Sequence, residues 1–107
     1  MAKSAINKEV LREVRLFIKN LKKNNIYIKS AYIFGSHAKG NSNKDSDIDV
    51  AVVSYDFGKN RLKEMMFLRK ISLKVNSHIE PITFSPSDLA DNYSTLSSEV
   101  RNFGIRI

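Results

Sequence analysis

Apolar residues recur along the first part of the chain with a helical period. Val10, Leu11, Val14, Phe17, Ile18 and Leu21 fall on one stripe, and Arg12, Arg15, Lys19, Lys22 and Lys23 lie off it. This predicts an amphipathic helix that stops at Asn24-Asn25. Residues 26–34 are rich in Ile, Tyr and Phe and predict a strand. Residues 35–46 hold no large apolar side chain and suit a short helix or turn followed by a loop. Residues 47–53 alternate as a second strand, with Ile48, Val50 and Val52 on one face and Asp47 and Asp49 on the other.

Residues 59–75 have helical spacing but are apolar on two sides. Leu62, Met65, Met66 and Leu73 form one side, and Leu68, Ile71 and Val75 the other. So wide an apolar girth predicts burial against a sheet and against something else, with Met65 and Met66 in core packing. A third strand spans residues 78–84. Pro81 cannot donate to a ladder, so the strand is expected at an edge or at a bulge. Ser85-Pro86-Ser87-Asp88 is a helix start, with a cap, a proline in the first turn and an acid three residues after the cap. Val100 and Phe103 continue a last helix that Gly104 caps, and residues 105–107 form a short terminal strand. The order predicts an α/β (α+β) fold, a small mixed sheet with flanking helices mostly on one side. Its length of 107 residues predicts a single domain over residues 1–107.

Composition narrows the chemistry. The absence of cysteine excludes disulfide scaffolds, thiolate zinc sites and cysteine nucleophiles. Two histidines, His37 and His78, leave little for a histidine metal site. His37, inside the 35–46 turn, is expected to be exposed. No apolar run approaches the roughly 18 residues that span a bilayer, and residues 1–4 are not followed by the apolar stretch of a secretory leader. A cytoplasmic protein without membrane contact is expected. The net charge is +7 and it is uneven. Residues 1–30 hold eight bases and two acids, residues 55–76 six bases and two acids, and both stretches are predicted helices. Such a field favours anionic partners: nucleotides, nucleic acid or an acidic protein face.

The chemistry lies in Gly35-Ser36, ten residues, then Asp47-Ile48-Asp49. A Gly-Ser that closes a strand and opens a helix presents free backbone N–H groups to a phosphate, and the helix dipole favours the negative charge. Glycine lets the backbone approach the anion, and the Ser36 hydroxyl caps the helix or bonds a phosphate oxygen. Two aspartates at i and i+2 on a strand stand side by side and repel each other unless a cation joins them. Oxygen donors of this kind suit Mg²⁺, which takes one or two carboxylates plus substrate phosphates. A third carboxylate is expected from a neighbouring strand, and Glu80 is the one acid in residues 78–84. These are parts for phosphoryl or nucleotidyl transfer.

The Gly-Ser-x₁₀-Asp-x-Asp pattern resembles the signature of the polymerase-beta-like nucleotidyltransferase superfamily. At this length the chain is similar to the minimal nucleotidyltransferases, which resemble the catalytic core of kanamycin nucleotidyltransferase without its second domain. The resemblance runs through the 34–53 motif, the 78–84 strand and a closing helix and strand over 99–107. It implies the polymerase beta-like nucleotidyltransferase fold, with ATP as substrate and two Mg²⁺ ions. It also implies triphosphate binding by Gly35 and Ser36, metal binding by Asp47 and Asp49, and Glu80 as third carboxylate, a metal ligand or a base. Lys39 stands where many relatives carry Arg and would reach a phosphate without the bidentate fork. Many minimal members are antitoxins encoded beside a helical HEPN-domain ribonuclease toxin, and some adenylylate a tyrosine of it. The resemblance therefore implies a toxin-directed adenylyltransferase. Two alternatives stand beside it: transfer to a small-molecule or nucleic-acid 3′-hydroxyl, and neutralisation of a toxin by binding without chemistry.

Overall fold

The structure, a computed structural model, describes residues 6–107. The expected lack of a leader in residues 1–4 lies outside the described residues. Helix α1 (Lys8–Lys23) starts where the Asn7 side chain accepts from the N–H groups of Glu9 and Val10, and Lys22 and Lys23 lie in its last turn. Strand β1 (Ser30–Phe34), short helix α2 (Ser36–Lys39) and strand β2 (Ile48–Val53) follow. Next come helix α3 (Arg61–Leu73), strand β3 (Ile79–Phe84), helices α4 (Pro86–Leu89) and α5 (Thr95–Phe103), and strand β4 (Ile105–Arg106).

The sheet is mixed, in the order β3-β2-β1-β4. β1 runs antiparallel to both β2 and β4, and β2 runs parallel to β3 with α3 as the crossover. β3 is an edge strand, as Pro81 requires. Two cores form, one on each face. Ile33, Ile48, Val50, Val52 and Ile79 pack with Val14, Phe17 and Leu21 of α1 and Leu68 and Ile71 of α3. Phe34, Ala51, Val53 and Phe84 pack with Val100 of α5 and Leu89 of α4. The helices therefore divide between the two faces, α1 and α3 against one and α4 and α5 against the other, rather than lying mostly on one side.

Several expected boundaries move, for identifiable reasons. β1 begins at Ser30 and not at residue 26, because its partner β2 ends at Val53, which pairs with Ser30. Ahead of it the chain turns through Asn25, at φ 66, and Ile26 and Ile28 pack on the core as connection. Asp47 lies one residue before β2, which starts at Ile48. The last helix is two helices. Ser85 and Asp88 form the expected reciprocal cap of α4, but that helix stops after Leu89, and Ser94 caps α5 anew. The Ser97 hydroxyl donates to Asp88 O at 2.6 Å, and Arg101 donates to Leu89 O at 2.6 Å, which ties the two together. Gly104 does not adopt the left-handed cap conformation. Its φ is −66, and it is small because a Cβ there would run into Val100 O.

The largest departure is on α3. Leu68 and Ile71 are buried, as expected for its inner side. The other side faces outward: Leu62 is 72% exposed, Met66 62% and Leu73 52%, and Met65 is half-buried. Met66 is thus not core packing. A helix resting on one edge of a four-stranded sheet has only one face to bury.

Candidate active site

Three strands converge at one end of the sheet to build the site. β1 ends at Phe34, and Phe34 is in register with Asp49 of β2, which is in register with Glu80 of β3. The lateral row puts Asp49 and Glu80 side by side on the face that α5 covers. The chain leaves β1 through Gly35, whose φ of 74 and ψ of −149 suit glycine alone. The same residue lies directly against Asp49, and a Cβ at position 35 would collide with Asp49 Oδ2. Glycine is required here twice, for its backbone angle and for the contact.

Ser36 is the first residue of α2. Gly35 caps the helix without a side-chain hydrogen bond. The leading N–H groups of α2 therefore receive no side-chain acceptor, which leaves them to a ligand anion. The cap role expected as one option for Ser36 is not taken up. Gly40 closes the turn in the left-handed conformation, with its N–H on Ser36 O.

Asp49 is half-buried and its carboxyl is pushed above the usual carboxylate range. Burial is the main cause, the charges of Asp47, Glu80 and Glu99 add to it, and His37 acts in the opposite sense. Asp47 is exposed at the strand entrance. Surplus negative charge around one carboxylate is what a divalent cation relieves. The donors are all carboxylate oxygens, the kind Mg²⁺ prefers, with further positions left to water and phosphate. Among the described residues no three carboxylates or histidines are gathered as a preformed metal cage. Glu80 is instead drawn to Arg69, with Arg69 Nη1 3.3 Å from Glu80 Oε2. The residues present fit an open site in which two aspartates and the substrate complete the coordination together.

Lys39 ends α2 and turns to α5. Its Nζ is 3.2 Å from Glu99 Oε2 and 5.1 Å from the centre of the Phe103 ring. The structure therefore brings Gly35, Asp49 and Glu80 together, sets Ser36 and Asp47 at the rim, and engages Lys39 with α5. Glu99 and Arg69 escaped the sequence. One pairs with Lys39 across 60 positions and the other with Glu80 across 11, and neither carries a local spacing signal. His37 is 5% exposed rather than exposed. Its Nε2 lies 3.4 Å from Ser46 O, which joins α2 to the loop before Asp47.

Residues 17–105 match the family described as polymerase beta, nucleotidyltransferase. Among the solved structures to which the chain is similar are two toxin–antitoxin structures. One is a toxin–antitoxin with AMP-PNP, at 26% identity and a TM-score of 0.61, the match covering 84% of this chain and 68% of that one. The other is the toxin–antitoxin MntA-HepT, at 25% identity and a TM-score of 0.58, covering 90% of this chain and 68% of that one. No curated protein matches the chain at a significant level.

Proposed function

The chain belongs to the polymerase beta nucleotidyltransferase family and is a nucleotidyltransferase, and from that premise we propose that it is an antitoxin acting as one catalytic unit. It transfers adenylyl from ATP to a hydroxyl, that of a tyrosine, on a helical HEPN-type toxin. The observation that carries this is the pairing of Asp49 with Glu80 at the end of the sheet, with the Gly35 turn packed against Asp49. Support for the nucleotide comes from the similar toxin–antitoxin structure with AMP-PNP, and for the partner from the similar MntA-HepT pair.

In this reading the free N–H groups of α2 and the Ser36 hydroxyl hold the triphosphate oxygens, and Gly35 lets them come close. Asp47 and Asp49 would hold Mg²⁺, which when bound would supply neutralisation of phosphate charge. Glu80 lies on the acceptor side and takes the hydroxyl proton. The acceptor oxygen forms a bond to the α-phosphorus, the bond from that phosphorus to the bridging oxygen breaks, and pyrophosphate leaves. Arg69 holds the Glu80 carboxylate until the acceptor arrives. Lys39, paired with Glu99, would have to leave that partner to meet phosphate.

The test is the mass of the toxin co-expressed with this chain. With ATP and Mg²⁺ it gains about 329 Da per transferred adenylyl group, and the Asp47→Asn, Asp49→Asn double variant abolishes the gain. An unmodified toxin that is nonetheless neutralised, by wild type and double variant alike, replaces catalysis with binding.

A further inference from the structure

Beside the site, on the outer side of β3, runs a groove of about 570 Å³. Met65, Met66 and Leu73 of α3 and Pro81 of β3 give it an apolar lining. Arg69 and Glu80 stand in it as well, so the groove opens onto the carboxylate that is in register with Asp49. Leu62, Met66 and Leu73 form an exposed stripe at helical spacing that leads along it. Apolar surface in a continuous stripe, bordered by charge, marks a contact face.

The edge of β3 that borders the groove, at Ile79 and Pro81, is closed to an added strand. Ile48 N–H donates to His78 O and Ser54 N–H to Phe84 O. In a parallel ladder this turns the backbone groups of the even-numbered β3 residues toward β2 and those of Ile79, Pro81 and Thr83 outward. Ile79 N–H already donates to Asn76 O, Arg69 donates to Ile79 O, and Pro81 has no N–H. Whatever occupies the groove must bind through side chains, as a helix laid into an apolar channel does.

Charge selects among helices. Lys70 lines the groove together with Arg69, which is paired with Glu80, and the surplus of base is carried by a stretch of six bases and two acids over residues 55–76. Of those acids, Glu64 spends its carboxylate on the N–H groups of Gly58, Lys59 and Asn60. A second copy of this chain would bring the same basic face and a net charge of +7 against itself. We infer that the groove between α3 and β3 is the docking surface for an amphipathic helix of a separate protein, apolar on one face and acidic on its flanks. This rests on the proposed function in one respect: a helix docked there ends beside Glu80 and is placed to deliver the acceptor hydroxyl.

The methionines report on the groove directly, since the chain has three and two of them line it. The experiment follows their ¹³C-labelled methyl signals by NMR. The probe is a synthetic helix with leucines along one face and glutamates elsewhere, and the control has lysines in place of the glutamates. The Met65 and Met66 signals shift saturably with the glutamate helix and stay in place with the lysine helix. Met66→Glu, at an exposed position, weakens binding about tenfold or more. Lys70→Glu weakens it too and lets the lysine helix bind. Unmoved methyl signals, equal response to both helices, or shifts that follow the concentration of the chain alone overturn the assignment. Calorimetry with MgATP on the same samples keeps the two readings apart. Groove binding without MgATP binding removes the catalytic reading and leaves the docking surface standing. MgATP binding with no response at the methionines removes the docking surface alone.

Discussion

At Gly35 a side chain is excluded by two independent constraints, a positive φ and the carboxylate of Asp49. Its neighbour Ser36 is under neither constraint. Its hydroxyl caps nothing, so the residue is available to a ligand and contributes little to the fold. Ser36→Ala should leave the unfolding free energy within about 0.5 kcal/mol of wild type. Removing a donor to developing charge typically costs about a hundredfold or more in turnover, and a large loss of nucleotidyl transfer is expected. Chemical denaturation and a transfer assay on one preparation measure both. Lowered stability with unchanged activity per folded molecule would make Ser36 structural.

Among the elements, α4 joins the two layers. Asp88 accepts from the Ser85 N–H at 3.0 Å and from Arg61 of α3 at 2.7 Å. Burial opposes its charge, but these bonds outweigh burial and hold its carboxyl below the usual range. The folded state therefore binds this proton more weakly than the unfolded chain. The stabilisation is present above the ordinary aspartate pKa and is lost as pH falls through the lowered one. Asp88→Asn should cost about 1 kcal/mol at neutral pH, the scale of a lost cap, and the gap to wild type should close in acid. Thermal unfolding of both proteins from pH 7 down to pH 2 reads this, and a gap independent of pH would remove the carboxylate from the explanation.

Legibility also divides by element. The stripe of α1, the alternation around Asp49 and the cap at Ser85 are set by neighbours in sequence, and all three stand in the structure. The Gly35 turn was legible for the same reason. The two apolar sides of α3 were legible as needing cover beyond the sheet, but the place of Met66 on the uncovered side was not, because spacing alone does not say which side the sheet takes. The Lys39–Glu99 and Arg69–Glu80 pairs were illegible for want of any periodicity linking their members. The break between α4 and α5 depends on Ser97 and Arg101 reaching back to Asp88, Leu89 and Asp91, contacts that no local pattern announces.

For the molecule as a whole, the sheet separates two tasks. One face is closed by α1 and α3 and supplies most of the core, while the other carries the carboxylates under α5. No helix among the described residues is long and apolar enough to cross a membrane. The positive field of the whole chain draws anions toward a site whose own charge is negative at Asp47, Asp49, Glu80 and Glu99. A triphosphate meets repulsion there unless a divalent cation comes with it. Titration calorimetry with ATP, once in Mg²⁺ and once in EDTA, measures that dependence most directly. Binding is predicted in Mg²⁺ alone, and to be lost in Asp47→Asn, Asp49→Asn. Equal affinity in EDTA, or full affinity in the double variant, would contradict a nucleotide site built on these aspartates.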